Sequence, residues 1–274
     1  MTRPTPADAR FEFGKNWQDF IRKNLSQERI DVSKAHILTF MGRTDLNGLS
    51  FLDIGCGSGL HSIAALQAGA TSVYSFDFDP DAVEAARYIH GQMGPFPHWS
   101  IQQGSVLDDA YLDALPRFDV VYSWGVLHHT GAVWHALRNA AGRVKTNGQL
   151  YVALYSADVQ KDPPPEFWLA VKQRYVSAGP VVRFGMVLWY IWRFMMYRNW
   201  RNLGAFICRM RDQRRRRGMS VLTDIRDWLG GWPMEFVRDR DVIDFCNRLG
   251  FRLESIKTGE ACSEFLFRSE SEGM

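Results

Sequence analysis

Residues 49–59, LSFLDIGCGSG, constrain the fold of this chain more than any other stretch. Phe51, Leu52, Asp53 and Ile54 form a run, apolar but for one acid, that suits a strand buried on both faces of a parallel sheet. The run breaks into Gly55, Gly57 and Gly59, with only the small Cys56 and Ser58 between them. Leu60, Ile63, Ala64, Leu66 and Gln67 then fall on a three-four spacing, which predicts a helix. A strand that passes through a glycine turn straight into a helix leaves bare backbone at its carboxyl end, where a nucleotide-like ligand can lie close. The spacing is G-x-G-x-G rather than the G-x-G-x-x-G of dinucleotide enzymes, and Asp53 stands two residues before the first glycine. A structural strand-turn-helix with no ligand is the plain alternative.

Further landmarks follow in order. Residues 72–77, SVYSFD, read as a second strand ending in Asp77, whose carboxylate can accept from both hydroxyls of a ribose. Asp79 and Asp81 compete for that role, but Pro80 predicts a helix start there. Asp81 then sits in the first turn and Asp79 takes a capping role. Residues 101–106, IQQGSV, read as a third strand. Residues 117–129, RFDVVYSWGVLHH, read as a fourth strand and its loop, and the apolar residues 149–155 as a fifth strand after Asn147-Gly148.

Together these stretches resemble the class I S-adenosylmethionine (SAM) dependent methyltransferases. The run Val126-Leu127-His128-His129 resembles their small-molecule, ubiquinone-biosynthesis-like branch. The resemblance covers residues 49–155 and resumes at residues 239–268, where a helix and two strands close such sheets; Asp239 is expected to cap that helix and Gly250 to end it. It implies an α/β fold with a doubly wound, mostly parallel, seven-stranded Rossmann-like sheet and a helical cap inserted between strands 5 and 6. It also implies that Gly55, Gly57 and Gly59 pass close to the methionine part of SAM, and that Asp53 helps hold the methionyl amino group. Asp77 then serves the ribose. Many relatives carry an acid where Ser105 stands, so the adenine amino contact falls to Ser105, Asp108 or backbone. Cys56, Phe78, Val106, Ser123 and Trp124 complete the implied cofactor site, Trp124 lining the methyl position, with S-adenosylhomocysteine as product.

Composition narrows the class further. A hydrophobic content of 46% and an aromatic content of 14% exclude a disordered chain and support a large core. The four cysteines, Cys56, Cys208, Cys246 and Cys262, form no C-x-x-C pair and no Cys/His cluster at ligand spacing. Neither a structural zinc nor a disulfide framework is expected, and a reducing cytoplasm fits. The amino terminus, MTRPTPADAR, has no apolar signal core. Net charge is only +3, yet residues 156–220 hold thirteen Lys/Arg against four Asp/Glu, a local +9 that leaves the remainder at −6. Such asymmetry speaks to partners rather than to fold.

Four regions are expected: a helical lid at 1–45, a SAM-binding core at 46–155, a basic and aromatic helical insert at 156–234, and completion of the sheet at 235–274. Phe13, Trp17 and Phe20 fall on one face of an N-terminal helix. That helix either docks on the sheet or closes over the cofactor, where an aromatic face beside a sulfonium gains roughly 0.5–2 kcal/mol. In the second reading Trp17 touches the cofactor, and Phe13 and Asn16 meet the substrate. Within the insert, prolines 163–165 make a stiff connector, and residues 228–236, WLGGWPMEF, read as a glycine-hinged aromatic turn returning to the body. Arg183 and Arg193 then bracket only nine uncharged residues, too few to cross a bilayer. Three readings stay open for this segment: a cap walling the pocket, with Trp189 and Trp232 toward the substrate; a homodimer interface; or a segment lying on an anionic membrane. The third would place a cytoplasmic protein at the membrane's inner face. A nucleic-acid partner is not expected, because no RNA-binding motif accompanies the arginine run at residues 209–217.

Methyl transfer from SAM is an in-line displacement that asks the protein to align nucleophile, methyl and sulfur in a dry site. It requires no metal. A hydroxyl acceptor needs a base, and imidazole suits that near neutral pH. His129 is the preferred base by position after the fourth strand, with His128 next. The expected reaction is O-methylation of a small aromatic or lipophilic acceptor such as a quinone precursor. Nitrogen or sulfur acceptors, an RNA methyltransferase using the arginines, and a SAM-binding protein without catalysis are the competing readings.

Overall fold

The computed structural model describes residues 25–94, 96–196, 221–259 and 262–270. The apolar run at residue 51 becomes β1 (Ser50–Ile54), buried from Phe51 onward. It lies at the centre of a seven-stranded sheet with β2 (Ser72–Asp77), β3 (Trp99–Gln103), β4 (Phe118–Trp124), β5 (Val144–Tyr155), β6 (Phe251–Thr258) and β7 (Cys262–Ser269), in the order β3-β2-β1-β4-β5-β7-β6. The first five strands pair parallel, and β7 runs antiparallel to both β5 and β6. The chain steps outward from β1 to β3, then returns to place β4 on the other side of β1. In open α/β sheets that reversal opens a crevice at the carboxyl ends, here between β1 and β4.

Alternation along the strands sorts side chains onto two faces. Leu52, Ile54, Val121, Leu150, Val152 and Leu154 pack with Ala136, Leu137 and Ala140 of α5 (Val133–Gly142). On the opposite face stand Asp53, Tyr122 and Tyr151, paired in one row across β1, β4 and β5. There Phe40 of α1 (Gln27–Met41) meets the Tyr151 ring at 4.7 Å. His61 of α2 (Leu60–Gln67) meets Tyr122 at 5.2 Å.

Local chemistry accounts for several element ends. Helix α3 (Pro80–Met93) starts with proline at its first position, and the Asp79 side chain accepts from the Asp81 N–H at 2.9 Å. The capping role expected of Asp79 is therefore present. Asp108 does the same for α4 (Asp109–Asp113), accepting from Tyr111 N–H at 3.0 Å.

Two compact units divide the chain: the described residues up to 165 with those from 234 onward, and residues 166–233. The smaller unit contains α6 (Pro165–Ser177), α7 (Pro180–Tyr190), a π-helical turn (Ile191–Met196) and α8 (Val221–Gly230). Tyr175, Val187, Ile225 and Leu229 form its core. Trp168 is buried edge-on to Trp228, with ring centroids 5.1 Å apart. The Lys172 amine is buried in the same core, donating to the Trp228 carbonyl and lying 4.3 Å from the centre of its indole. Burial lowers its pKa to about 7.

Three local expectations are corrected. The third strand spans Trp99–Gln103, so Ser105 and Val106 lie in the loop beyond it. Trp228 and Leu229 close α8 rather than opening a glycine turn, because their apolar side chains sit on its buried face. Asp239 is the first residue inside α9 (Asp239–Arg248), not its cap. Its N–H is already taken by the Asp158 carboxylate at 2.8 Å, and its own carboxylate accepts from Ser263 at 2.9 Å. Gly250, at φ +80°, ends that helix as expected.

Candidate active site

The turn after β1 is left-handed at all three glycines, with φ of 72° at Gly55, 53° at Gly57 and 79° at Gly59. A Cβ at Gly55 would come within 2.3 Å of Val126 Cγ1, so only glycine lets the loop after β4 close on this turn. Gly55 and Cys56 both donate their N–H to the Phe76 carbonyl, at 2.8 and 3.1 Å. The turn is thereby tied to β2, and Cys56 is buried beneath it.

Asp77, at the end of β2, accepts from Gly57 N–H at 2.9 Å through one oxygen and from Asp79 N–H at 3.0 Å through the other. Burial raises its pKa, and those bonds partly oppose the rise. The Phe78 N–H opposes it as well, so of a carboxylate's roughly four acceptor sites about one remains to offer. Phe78 beside it is exposed. Asp53 lies deeper, 2% exposed, and accepts from the Ser62 hydroxyl at 2.5 Å. That hydroxyl lies 2.8 Å from Ser75 Oγ, which accepts from the Trp99 indole N–H, also at 2.8 Å. The chain of bonds joins β1, α2, β2 and β3. Burial, opposed by Ser62 and helped by the Asp77 charge, raises the Asp53 pKa to about 7.

The remaining residues expected at the cofactor fall into two groups. Ser105 Oγ accepts from Leu107 N–H at 3.1 Å, and Val106 is buried. Ser123 is fully buried, and its hydroxyl donates to the Ile54 carbonyl at 3.0 Å, locking β4 to β1. Trp124, one residue on, is exposed at the end of β4. Phe13, Asn16 and Trp17 lie outside the described residues. Trp189 and Trp232 belong to the helical unit, where Trp189 packs edge-on to Phe194 at 5.6 Å and Trp232 is half-buried.

The two histidines after β4 are treated differently by the fold. His128 is fully buried in a 3-10 turn (Leu127–His129), and its Nδ1 accepts the Tyr155 N–H at 3.3 Å. This contact assigns its proton to Nε2. Its carbonyl accepts from Glu235 N–H at 2.8 Å. The Glu235 carboxylate in turn accepts from Val133 N–H at 2.9 Å, at the start of α5, and burial raises its pKa. His129 is half-buried, edge-on to Tyr155 at 5.8 Å.

Sequence reasoning missed one polar cluster. His36 Nε2 lies 3.1 Å from Glu264, and Tyr151 donates its hydroxyl to the same carboxylate. Burial alone would raise the Glu264 carboxyl, but the hydrogen bonds from His36 and Tyr151 outweigh it and hold its pKa below the usual range. Pairing aligns Trp124 with Ala153 and Ala153 with Glu264, so the cluster stands level with the exposed tryptophan. His36 and His61 both lie 6.4 Å from the Trp124 ring. Burial, then the nearby His36, lowers the His61 pKa to about 4. The one available signal was an acid at residue 264 directly before the apolar run Phe265, Leu266 and Phe267 of β7. Among the described residues no group of three or more His, Cys, Asp or Glu is disposed to hold a metal.

The family profile described as a methyltransferase domain matches residues 26–252, most of the sequence. The chain belongs to this methyltransferase family. Its methyl donor is SAM, the donor that family uses. Ribosomal protein L11 methyltransferase of Salmonella newport (strain SL254) is 46% identical over 82 residues, which cover 26% of this chain and 28% of that protein. The chain therefore spans less than a third of the curated relatives it matches. Among solved structures, magnesium protoporphyrin IX methyltransferase from Synechocystis PCC 6803 with bound SAM aligns at a TM-score of 0.55 and 13% identity, covering 98% of both chains. An O-methyltransferase family protein from Burkholderia thailandensis aligns at 0.57 and 13% identity, over 94% of this chain and 60% of that one. A methyltransferase from Haloferax volcanii, solved in complex with the Trm112 activator, aligns at 0.54 and 14% identity over 97% and 99%. At these identities the structures share the fold.

Proposed function

We propose that this methyltransferase carries a methyl group from SAM to a hydroxyl of a small aromatic or lipophilic acceptor. The observation that carries the reading is the make-up of the edge formed by β4 and β5. Trp124, half-buried His129 and Tyr155 stand at those strand ends, and Phe236 meets Tyr155 at 5.8 Å. Aromatic rings beside one imidazole suit a flat, weakly polar acceptor better than a phosphate backbone, which asks for lysine and arginine. Two structural neighbours are described as O-methyltransferases, the Burkholderia protein and a mitomycin 7-O-methyltransferase aligned at a TM-score of 0.50 and 16% identity over 87% of this chain.

The residues at the ends of β1 and β2 fit the cofactor. The left-handed turn at Gly55, Gly57 and Gly59 offers backbone without side chains, and Asp77 keeps acceptor capacity for a ribose hydroxyl. Asp53 takes the methionyl amino group. Bound SAM supplies a methyl group on a sulfonium, open to in-line displacement. His129 accepts the proton of the attacking hydroxyl, and His128, held by the Tyr155 N–H, fixes the loop that presents it.

The test has two arms. Calorimetric titration with SAM and with S-adenosylhomocysteine should give heat with both. Transfer of labelled methyl from SAM should then occur to members of a panel of phenols, catechols and hydroquinones, and not to matched amines, thiols or transcribed RNA. Transfer to RNA with steep salt dependence would replace this reading with the nucleic-acid one, and binding without transfer to any acceptor would favour a non-catalytic SAM-binding protein.

A further inference from the structure

We propose that the outward face of α7 and the π-helical turn after it docks on an anionic lipid surface. Val181, Phe184, Leu188 and Trp192 are 84%, 61%, 51% and 56% exposed. Their spacing of three, four and four places them in one stripe along the helix, with Val182 beside it at 45% exposed. Val187, on the other side of the helix, is buried in the core of the helical unit with Tyr175, Ile225 and Leu229. Helix α7 is thus apolar toward two sides, and among the described residues of its own unit only one of them is covered. A scattered exposed leucine needs no explanation, but a continuous stripe ending in tryptophan does.

The charge around the stripe selects the occupant. Arg183 and Arg193 are exposed near its two ends. In sequence, no acidic residue occurs between Glu166 and Asp212, and residues 197–220, outside the described residues, carry eight arginines against Asp212 alone, a net +7. A second copy of this chain seated on the stripe would bring Arg183 and Arg193 against another such pair. An anionic lipid surface accepts both features: apolar side chains enter the headgroup boundary, tryptophan favours that interface, and arginines meet phosphates. At 1.5 Å per residue the stripe is about 17 Å long, against about 30 Å for a hydrocarbon core. No described helix is long and apolar enough to cross a membrane, so the segment lies in the surface plane. This contact does not depend on the acceptor proposed above.

The full chain should co-sediment with vesicles of phosphatidylcholine containing about one-third phosphatidylglycerol, and only weakly with phosphatidylcholine alone. The double variant Phe184→Ser/Leu188→Ser should lose about tenfold or more of that partitioning while its heat of SAM binding is unchanged. Both side chains are exposed, so the fold does not depend on them. Hydrogen exchange of the unaltered protein gives a second readout: the anionic vesicles should protect residues 180–196. Undiminished binding by the double variant would mean the arginines act alone and would overturn the proposal. So would protection confined to other segments, absence of vesicle binding, or self-association without lipid that the double variant abolishes.

Discussion

At the ends of β1 and β2 the polar groups are held by nearby backbone and by one another: Asp77 by Gly57 and Asp79, and Asp53 by Ser62. At the ends of β4 and β5 the polar groups come from far apart in the chain. His128 is fixed by Tyr155 and Glu235, and His36 reaches Glu264 across 228 positions. The first edge is a preformed cradle, whose parts lie within about thirty residues of one another. The second is an aromatic edge assembled by the whole sheet. In the function proposed above, the first edge takes the donor and the second the acceptor, the part in which members of one fold differ.

The comparison breaks most sharply at the two histidines. His129→Ala should lower kcat on a hydroxyl acceptor by about 10²–10⁴, the usual worth of a general base, with SAM affinity unchanged. His128→Ala should act on the scaffold instead, costing about 2–3 kcal/mol of stability through a lost buried ring and the stranded Tyr155 N–H. Thermal unfolding and steady-state kinetics on the two variants separate the roles. If His129→Ala keeps full kcat, the His36–Glu264 pair, level with Trp124, becomes the next base to test.

A smaller effect is expected on the other edge. Asp77→Ala removes the acceptor for Gly57 and Asp79 N–H together with the proposed ribose contact. Affinity for S-adenosylhomocysteine should fall about tenfold to a hundredfold, since each hydrogen bond to a charged group is worth about 1.5–3 kcal/mol and water replaces part of it. Titration calorimetry reads this directly. An unchanged dissociation constant would move the ribose away from β2.

The same contrast explains what the sequence could disclose. Strand β1, its glycine turn, α2 and the Asp79 cap are specified within a few residues of one another, so period, glycine spacing and cap chemistry suffice to read them. The acid at the end of β2 was legible for the same reason. The burial of Ser123, whose hydroxyl ends on Ile54, was not, because that bond joins two strands 69 positions apart. The cap of α9 was misread because Asp158 supplies it from a distant segment. Likewise nothing local in α1 shows that His36 faces a carboxylate on β7. Two adjacent histidines differ in sequence by position alone, and it is the burial of His128 and the Tyr155 N–H it accepts that divide them.

The finest test of the cradle is a proton. Asp53 has its pKa raised to about 7, chiefly by burial, from an ordinary value of 3.8. Between those values the folded protein holds a proton that the unfolded chain has released. Asp53 therefore contributes stability that is fully present below pH 3.8 and declines as pH rises through about 7. The methionyl ammonium of SAM would favour the ionised carboxylate and reverse that preference. Near pH 6, SAM binding should then release up to about one proton, seen as a binding heat that varies with the ionisation enthalpy of the buffer. In Asp53→Asn the buffer dependence should vanish, along with the decline in stability toward neutral pH. A proton release that survives the substitution would assign the titrating group elsewhere and leave Asp53 as a tie between β1 and α2.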